Sequence, residues 1–62
     1  MANEITKAEF DAIKNTSTRH DTNVIGRSVY SFDVYSPANG HAYCVTDHKT
    51  HPATVKYFKG KR

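Results

Sequence analysis

A single cysteine, Cys44, is the feature that most restricts how this chain of 62 residues can fold. A chain of this length buries only about 60% of the surface that its unfolded form exposes, so disulfides or a structural metal often supplement its core. One cysteine forms no internal disulfide and provides no paired-cysteine zinc motif. The fold must therefore rest on a compact apolar core, on dimerisation, or on docking to a larger protein.

The composition predicts a folded chain with a modest core. Hydrophobic residues make up 37% of the sequence, and four tyrosines and three phenylalanines are more aromatic residues than disordered chains usually have. No apolar run approaches the roughly 20 residues of a membrane-spanning helix, and the first residues do not resemble a secretory signal. With its unpaired cysteine, the chain is expected in a reducing cytoplasm, without membrane contact.

The clearest local signal is a helix start at Thr6. Thr6 and Glu9 have the spacing of a capping box, in which the Thr6 hydroxyl accepts a hydrogen bond from the Glu9 amide. Ile5 and Phe10 flank this box with the spacing of a hydrophobic staple. The two motifs agree on the same start, and we predict a helix over about residues 7–16.

After the helix the pattern changes from helical spacing to alternation. Residues 15–23 are polar with poor helix propensity and predict a loop. Alternating apolar residues then predict strands over about residues 28–35, 41–47 and 53–59, separated by turn segments that contain proline, asparagine and glycine.

These elements predict a single small α+β domain over residues 1–62. The expected architecture is a short N-terminal helix packed on a three-stranded antiparallel β-meander (α-β-β-β), because short hairpin connections favour neighbouring strands. Phe10 and Ile13 would pack the helix against one face of the sheet. The other face would remain open for a partner.

Positive charge is concentrated at the C-terminal end. Residues 1–21 carry four acids and three bases, whereas residues 48–62 carry five bases and no acid. Tyr57 and Phe58 lie between lysines in this end, and cations interleaved with rings are typical of nucleic-acid contacts. An edge strand protected by lysines against aggregation has the same pattern. We expect a non-enzymatic module that binds nucleic acid through its basic C-terminal strand and tail.

A small regulator or inhibitor that binds a larger host protein, as some phage proteins do, is the alternative. Exposed tyrosine and phenylalanine on a sheet face or edge strand suit a protein interface, since these rings are large and rigid. A homodimer is also possible for so small a core. The candidate residues for nucleic-acid or partner binding are Arg27, Tyr35, Tyr43, Lys49, Lys56, Phe58, Lys59, Lys61 and Arg62.

Four side chains that can bind metals fall within residues 41–51. They are His41, Cys44, His48 and His51. Four ligands suit tetrahedral zinc, but His41 and Cys44 are three residues apart in a predicted strand and should point to opposite faces. We treat them as weak metal candidates and expect no metal or other cofactor.

The sequence gives little support to catalysis. A cysteine nucleophile needs a nearby base and a substrate pocket, and a domain with one helix has little room for a cleft. The three glycines are isolated, so none forms a phosphate-binding loop. An enzyme is therefore not expected.

Overall fold

The structure, a computed structural model, describes residues 3–60. One helix and five strands follow one another as β1 (Asn3–Ile5), α1 (Lys7–Asn15), β2 (Arg19–Val24), β3 (Val29–Ser36), β4 (Gly40–Asp47) and β5 (Thr54–Lys59). The strands form a single sheet in the order β1-β5-β4-β3-β2, and every neighbouring pair is antiparallel. Among the described residues, no helix is long and apolar enough to cross a membrane.

The expected three-stranded meander is wrong, because two further strands complete the sheet. β1 precedes the helix and pairs with β5, which places Ile5 opposite Tyr57. β2 follows the helix and pairs with β3 over its full length, where the sequence predicts a loop. All six β2 side chains are exposed, so β2 has no apolar alternation to reveal it. Its strand conformation comes from backbone pairing with β3.

The predicted cap at the start of α1 is present. The amide of Glu9 donates to the Thr6 hydroxyl at 3.2 Å, and Thr6 itself has an extended backbone, as an N-cap residue should. At the other end, the amides of Thr16 and Ser17 donate to carbonyls three residues earlier, each at 3.2 Å. These tighter bonds close the last turn and end the helix at Asn15.

The core lies between α1 and one face of the sheet. Its buried centre consists of Phe10, Ile13, Val34 and Ala42, and it is flanked by Ile5, Phe32, Cys44 and Tyr57. Val34 and Ala42 face each other across β3 and β4, so they present one continuous apolar surface to the helix. The ring of Phe10 adds a tilted contact with the Tyr57 ring, with centroids 5.1 Å apart.

A small polar network fixes the C-terminal end of α1 to the turn between β3 and β4. The Thr16 hydroxyl lies 3.0 Å from the Ser36 hydroxyl and accepts from the Asn39 side-chain amide at 2.9 Å. Ser36 is fully buried. Because water does not reach the Ser36 hydroxyl, its contact with Thr16 is costly to remove.

Replacing Thr16 with valine should therefore destabilise the fold. Thr16→Val keeps the side-chain shape but takes the hydroxyl partner from Ser36, and we expect a loss of about 1–2 kcal/mol in the free energy of unfolding. Urea unfolding followed by circular dichroism measures this. Thr18→Val, at an exposed position just before β2, is the matched control and should change stability by less than about 0.5 kcal/mol. Equal effects of the two substitutions would contradict a role for the network.

Candidate binding surface

Among residues 3–60, no element covers the face of the sheet opposite α1, and we call it the open face. The helix packs on β3, β4 and β5 from the other side. Strand alternation and the pairing register assign the open-face residues. They are Glu4 of β1, Thr54, Lys56 and Phe58 of β5, His41, Tyr43, Val45 and Asp47 of β4, Val29, Ser31, Asp33 and Tyr35 of β3, and Arg19, Asp21 and Asn23 of β2.

An aromatic pair lies in the middle of the open face. Tyr43 and Phe58 are directly opposed on β4 and β5, and their rings stack with centroids 5.1 Å apart at an interplanar angle of 20°. Tyr43 is only 8% exposed, although no helix covers it, whereas Phe58 is half-buried. Phe58 is therefore the more accessible member of the pair, and it stacks on the ring of Tyr43.

A groove extends from this pair toward the β4–β5 loop. Its apolar wall consists of Val29, Val45 and Phe58, and the side chain of Lys56 lies along it. The cavity volume is about 450 Å³. We call this the apolar groove. Its aliphatic and aromatic lining suits an apolar side chain of a partner.

A second concavity, of about 580 Å³, lies at the β2 side of the open face. We call it the polar pocket. The buried carboxylate of Asp33 accepts from the Asn23 side-chain amide at 2.7 Å, and His41 Nε2 lies 3.6 Å from its other oxygen. Arg19 and Asp21 form an exposed ion pair at the rim, with Arg19 Nε 3.0 Å from a carboxylate oxygen. The pocket thus presents oriented carboxylates close to one another.

Acidic side chains dominate the charge of the open face. Glu4, Asp21, Asp33 and Asp47 are four of the six acids of the chain. Among the described residues, the permanent cations of this face are Arg19 and Lys56, so four negative and two positive charges leave a net charge of −2 with His41 neutral. The basic C-terminal sequence therefore does not produce a basic sheet face.

The lysines of β5 point to different sides of the sheet. Lys56 lies opposite Val45 on the open face, whereas Lys59 lies opposite Ala42 and shares the helix side. Lys61 and Arg62, the last two predicted contacts, lie outside the described residues. The cations of this segment are thus not collected on one surface of the sheet.

The other predicted contact residues lie at two different ends of the sheet. Arg27 is in the β2–β3 loop and Lys49 is in the β4–β5 loop, and these loops meet where the His48 amide donates to the Ser28 carbonyl at 2.6 Å. Tyr35 is 47% exposed and lines the polar pocket, far along β3 from these loops.

The four weak metal candidates are dispersed. His41 lies on the open face and Cys44 on the helix side, as their spacing in a strand predicts. The His48 ring packs against Tyr30, with centroids 4.7 Å apart, and His51 lies in the loop before Pro52. Within residues 3–60, no three or more His, Cys, Asp or Glu side chains form a group that could hold a metal ion.

Cys44 is in an environment that suppresses thiol chemistry. It packs against the core beside Phe32, and burial raises the pKa of its thiol above the ordinary value. A raised pKa lowers the thiolate fraction near neutral pH, and the thiolate is the reactive species. The arrangement gives Cys44 a packing role and does not favour a nucleophile.

The Cys44 thiol should consequently react slowly in the folded protein. With a chromogenic disulfide reagent near pH 8, we expect a rate at least about tenfold below that of the same chain unfolded in guanidinium chloride, because both access and thiolate fraction are reduced. The unfolded chain is the internal control. A folded protein that reacts as fast as the unfolded one would contradict this assignment.

The residues of the polar pocket on β2 are those that sequence reasoning missed. Arg19, Asp21 and Asn23 fall in the segment that the sequence predicts as a loop, and a loop does not place alternate residues on one face. The only sequence signal for this strand is that charged and amide side chains occupy every second position over residues 19–23. The signal is weak because the intervening residues are not apolar.

No protein-family model, curated protein or solved structure matches this chain.

Proposed function

We propose that this protein is a non-enzymatic binding module whose open face docks a larger protein. The observation that carries the proposal is an uncovered sheet face with a stacked Tyr43–Phe58 pair, an adjoining apolar groove and a net negative charge. By docking on a larger protein, it would act as a small regulator or inhibitor of that protein. A cytoplasmic location fits the unpaired cysteine.

The aromatic pair and the groove supply the chemistry of a protein contact. Interface centres are enriched in aromatic residues that are held rigidly and can exclude water. Phe58 is fixed by its stack on Tyr43, so little conformational entropy is lost when a partner covers it. The groove beside it offers a place for an apolar partner side chain.

The charge of the face favours a basic partner surface over a polyanion. Phosphate groups approaching Phe58 would meet Glu4, directly opposite on β1, and further along the face Asp33 and Asp47. Each carboxylate opposes a phosphate, whereas binding of nucleic acid gains its affinity from neutralising phosphates. A lysine or arginine of a partner would instead find Asp21 and Asp33 together at the polar pocket.

Nucleic-acid binding through the basic C-terminal strand and tail is the second candidate. Its support is the run of five bases in residues 48–62 and the contact between the two loops that carry Arg27 and Lys49. This surface would combine the loop end of the sheet with the lysines of β5, of which Lys56 lies on the open face and Lys59 lies on the helix side at the far end of the strand. The two candidates therefore share Lys56 but otherwise use different residues.

A matched pair of β5 substitutions tests the open face. Phe58→Ser removes the accessible ring, and Val55→Ser removes an exposed apolar side chain from the same strand on the helix side. With the protein immobilised and a nuclease-treated lysate of the source organism, we expect a stoichiometric protein partner. Its affinity should fall at least tenfold with Phe58→Ser and by less than about twofold with Val55→Ser.

The outcome is interpreted only for variants that retain the wild-type circular dichroism spectrum. Retention of the partner by a folded Phe58→Ser variant would overturn the open-face proposal. An equal loss with Val55→Ser would also overturn it, because the two side chains lie on opposite faces.

A second pair of substitutions distinguishes nucleic-acid binding from docking of a protein. If phosphate contacts dominate, Lys56→Gln and Lys59→Gln should weaken binding to short RNA or DNA by similar factors, and each should lower the salt dependence by about one ion. Fluorescence anisotropy at two salt concentrations measures both effects. The open-face proposal expects no appreciable binding even at low salt, and salt-dependent binding that both substitutions weaken would favour nucleic acid.

A further inference from the structure

The two ends of the sheet differ in how they are protected from pairing with another strand. Proteins limit exposed edges by short strands, lysine, proline or bulges. At one end of the sheet, β1 has only three residues and, within residues 3–60, leaves the outer side of the first half of β5 unpaired. That part of β5 carries Lys56. At the other end β2 has six residues with neither lysine nor proline, and its one cation, Arg19, is paired with Asp21.

Exposed aliphatic side chains lie at the end of this unprotected strand. Val24 is 80% exposed and Ile25 is 57% exposed, the highest values among the large hydrophobic residues of the described chain. Neither contributes to the core. An apolar pair beside unpaired backbone groups is an arrangement that an added strand would cover.

The hydrogen-bond pattern determines which β2 residues face outward. The Ile25 amide donates to the Val29 carbonyl at 3.1 Å, so the odd-numbered residues of β2 exchange their bonds with β3. In an antiparallel pair the intervening residues direct their N–H and C=O groups to the other side. His20, Thr22 and Val24 therefore present the free donors and acceptors of the edge.

We propose that β2 pairs with the β2 strand of a second copy of this chain, antiparallel about a twofold axis at Thr22. Such an axis can pass through an outward-facing residue, which then exchanges both hydrogen bonds with its own copy. An axis at Asp21 would oppose two like charges, and an axis at Asn23 would pair fewer residues of β2. Thr22 is the middle one of the three and gives the longest overlap. His20 then faces the partner's Val24, and about six backbone hydrogen bonds join the copies.

The side chains of β2 are complementary to themselves in this register. Asp21 faces the partner's Asn23, Arg19 faces the partner's Ile25, and Thr22 faces its own copy. No like charges oppose each other, and threonine pairs across strands are favourable. A second copy satisfies all of these pairings at once, which is why it is the occupant that β2 fits best.

The rest of the fold leaves room for this contact. The helix packs over β3, β4 and β5, so β2 lies beyond its cover. The two copies would form one ten-stranded sheet with their open faces side by side. An interface formed by one strand from each copy buries less than the roughly 1,200–2,000 Å² of a stable complex, so the dimer should be weak and reversible.

A charge exchange at Thr22 tests both the contact and the register. In sedimentation experiments from about 10 µM to about 1 mM, wild type should change from monomer to dimer. Thr22→Lys and Thr22→Glu should each weaken dimerisation by about fivefold or more, because each places like charges opposite each other. An equimolar mixture of the two variants should dimerise at least as strongly as wild type, since the lysine of one copy then faces the glutamate of the other.

The matched control uses Thr18, an exposed threonine just before β2. Residue 18 would not face its own copy, so a mixture of Thr18→Lys and Thr18→Glu should dimerise no more strongly than either variant alone. Circular dichroism confirms that each variant folds. A wild type that is monomeric throughout, or one that forms open-ended assemblies, would overturn the proposal. A Thr22 mixture that gains nothing would overturn it equally, even if an extended peptide binds β2.

Discussion

The contact of Phe10 and Ile13 with Val34 and Ala42 determines which parts of this protein are available for binding. One nine-residue helix has a narrow apolar face, and the structure places it over β3, β4 and β5. Burial of these side chains fixes the strand register, because a slip of one residue would turn the apolar set of β3 to the other side. The open face and the exposed β2 edge both follow from the limited width of this cover.

The open face contains both buried side chains and accessible ones. Tyr43, Asp33 and Ser31 are buried there without a covering helix, since longer neighbours on adjacent strands surround them. Phe58 stacks on the ring of Tyr43, and the Asn23 side-chain amide donates a hydrogen bond that orients the carboxylate of Asp33. These contacts orient the side chains before a partner arrives, and such pre-orientation lowers the entropy lost on binding.

Local signals predicted some elements well and others not at all. The cap at Thr6 is encoded by side chains close in sequence, so the start of α1 could be derived from spacing. β2 could not be derived in this way, because its six exposed residues have no apolar period and its pairing with β3 is made by the backbone. β1 is too short for any period. The polar pocket was missed with β2, since it joins residues 19–23 to Asp33 across strands.

The basic C-terminal sequence shows why linear charge is a poor guide to surface charge in a sheet. Lys56 and Lys59 are three residues apart, an odd spacing that sends them to opposite sides of β5. Acids that are distant in sequence lie on one side of the sheet instead. Asp21 and Asp33 are directly opposite each other on β2 and β3, and Glu4 and Asp47 are on the same face. A chain with a net charge of +3 thus presents a negative open face. A partner that recognises this face must therefore match its local charge, whatever the sign of the whole chain.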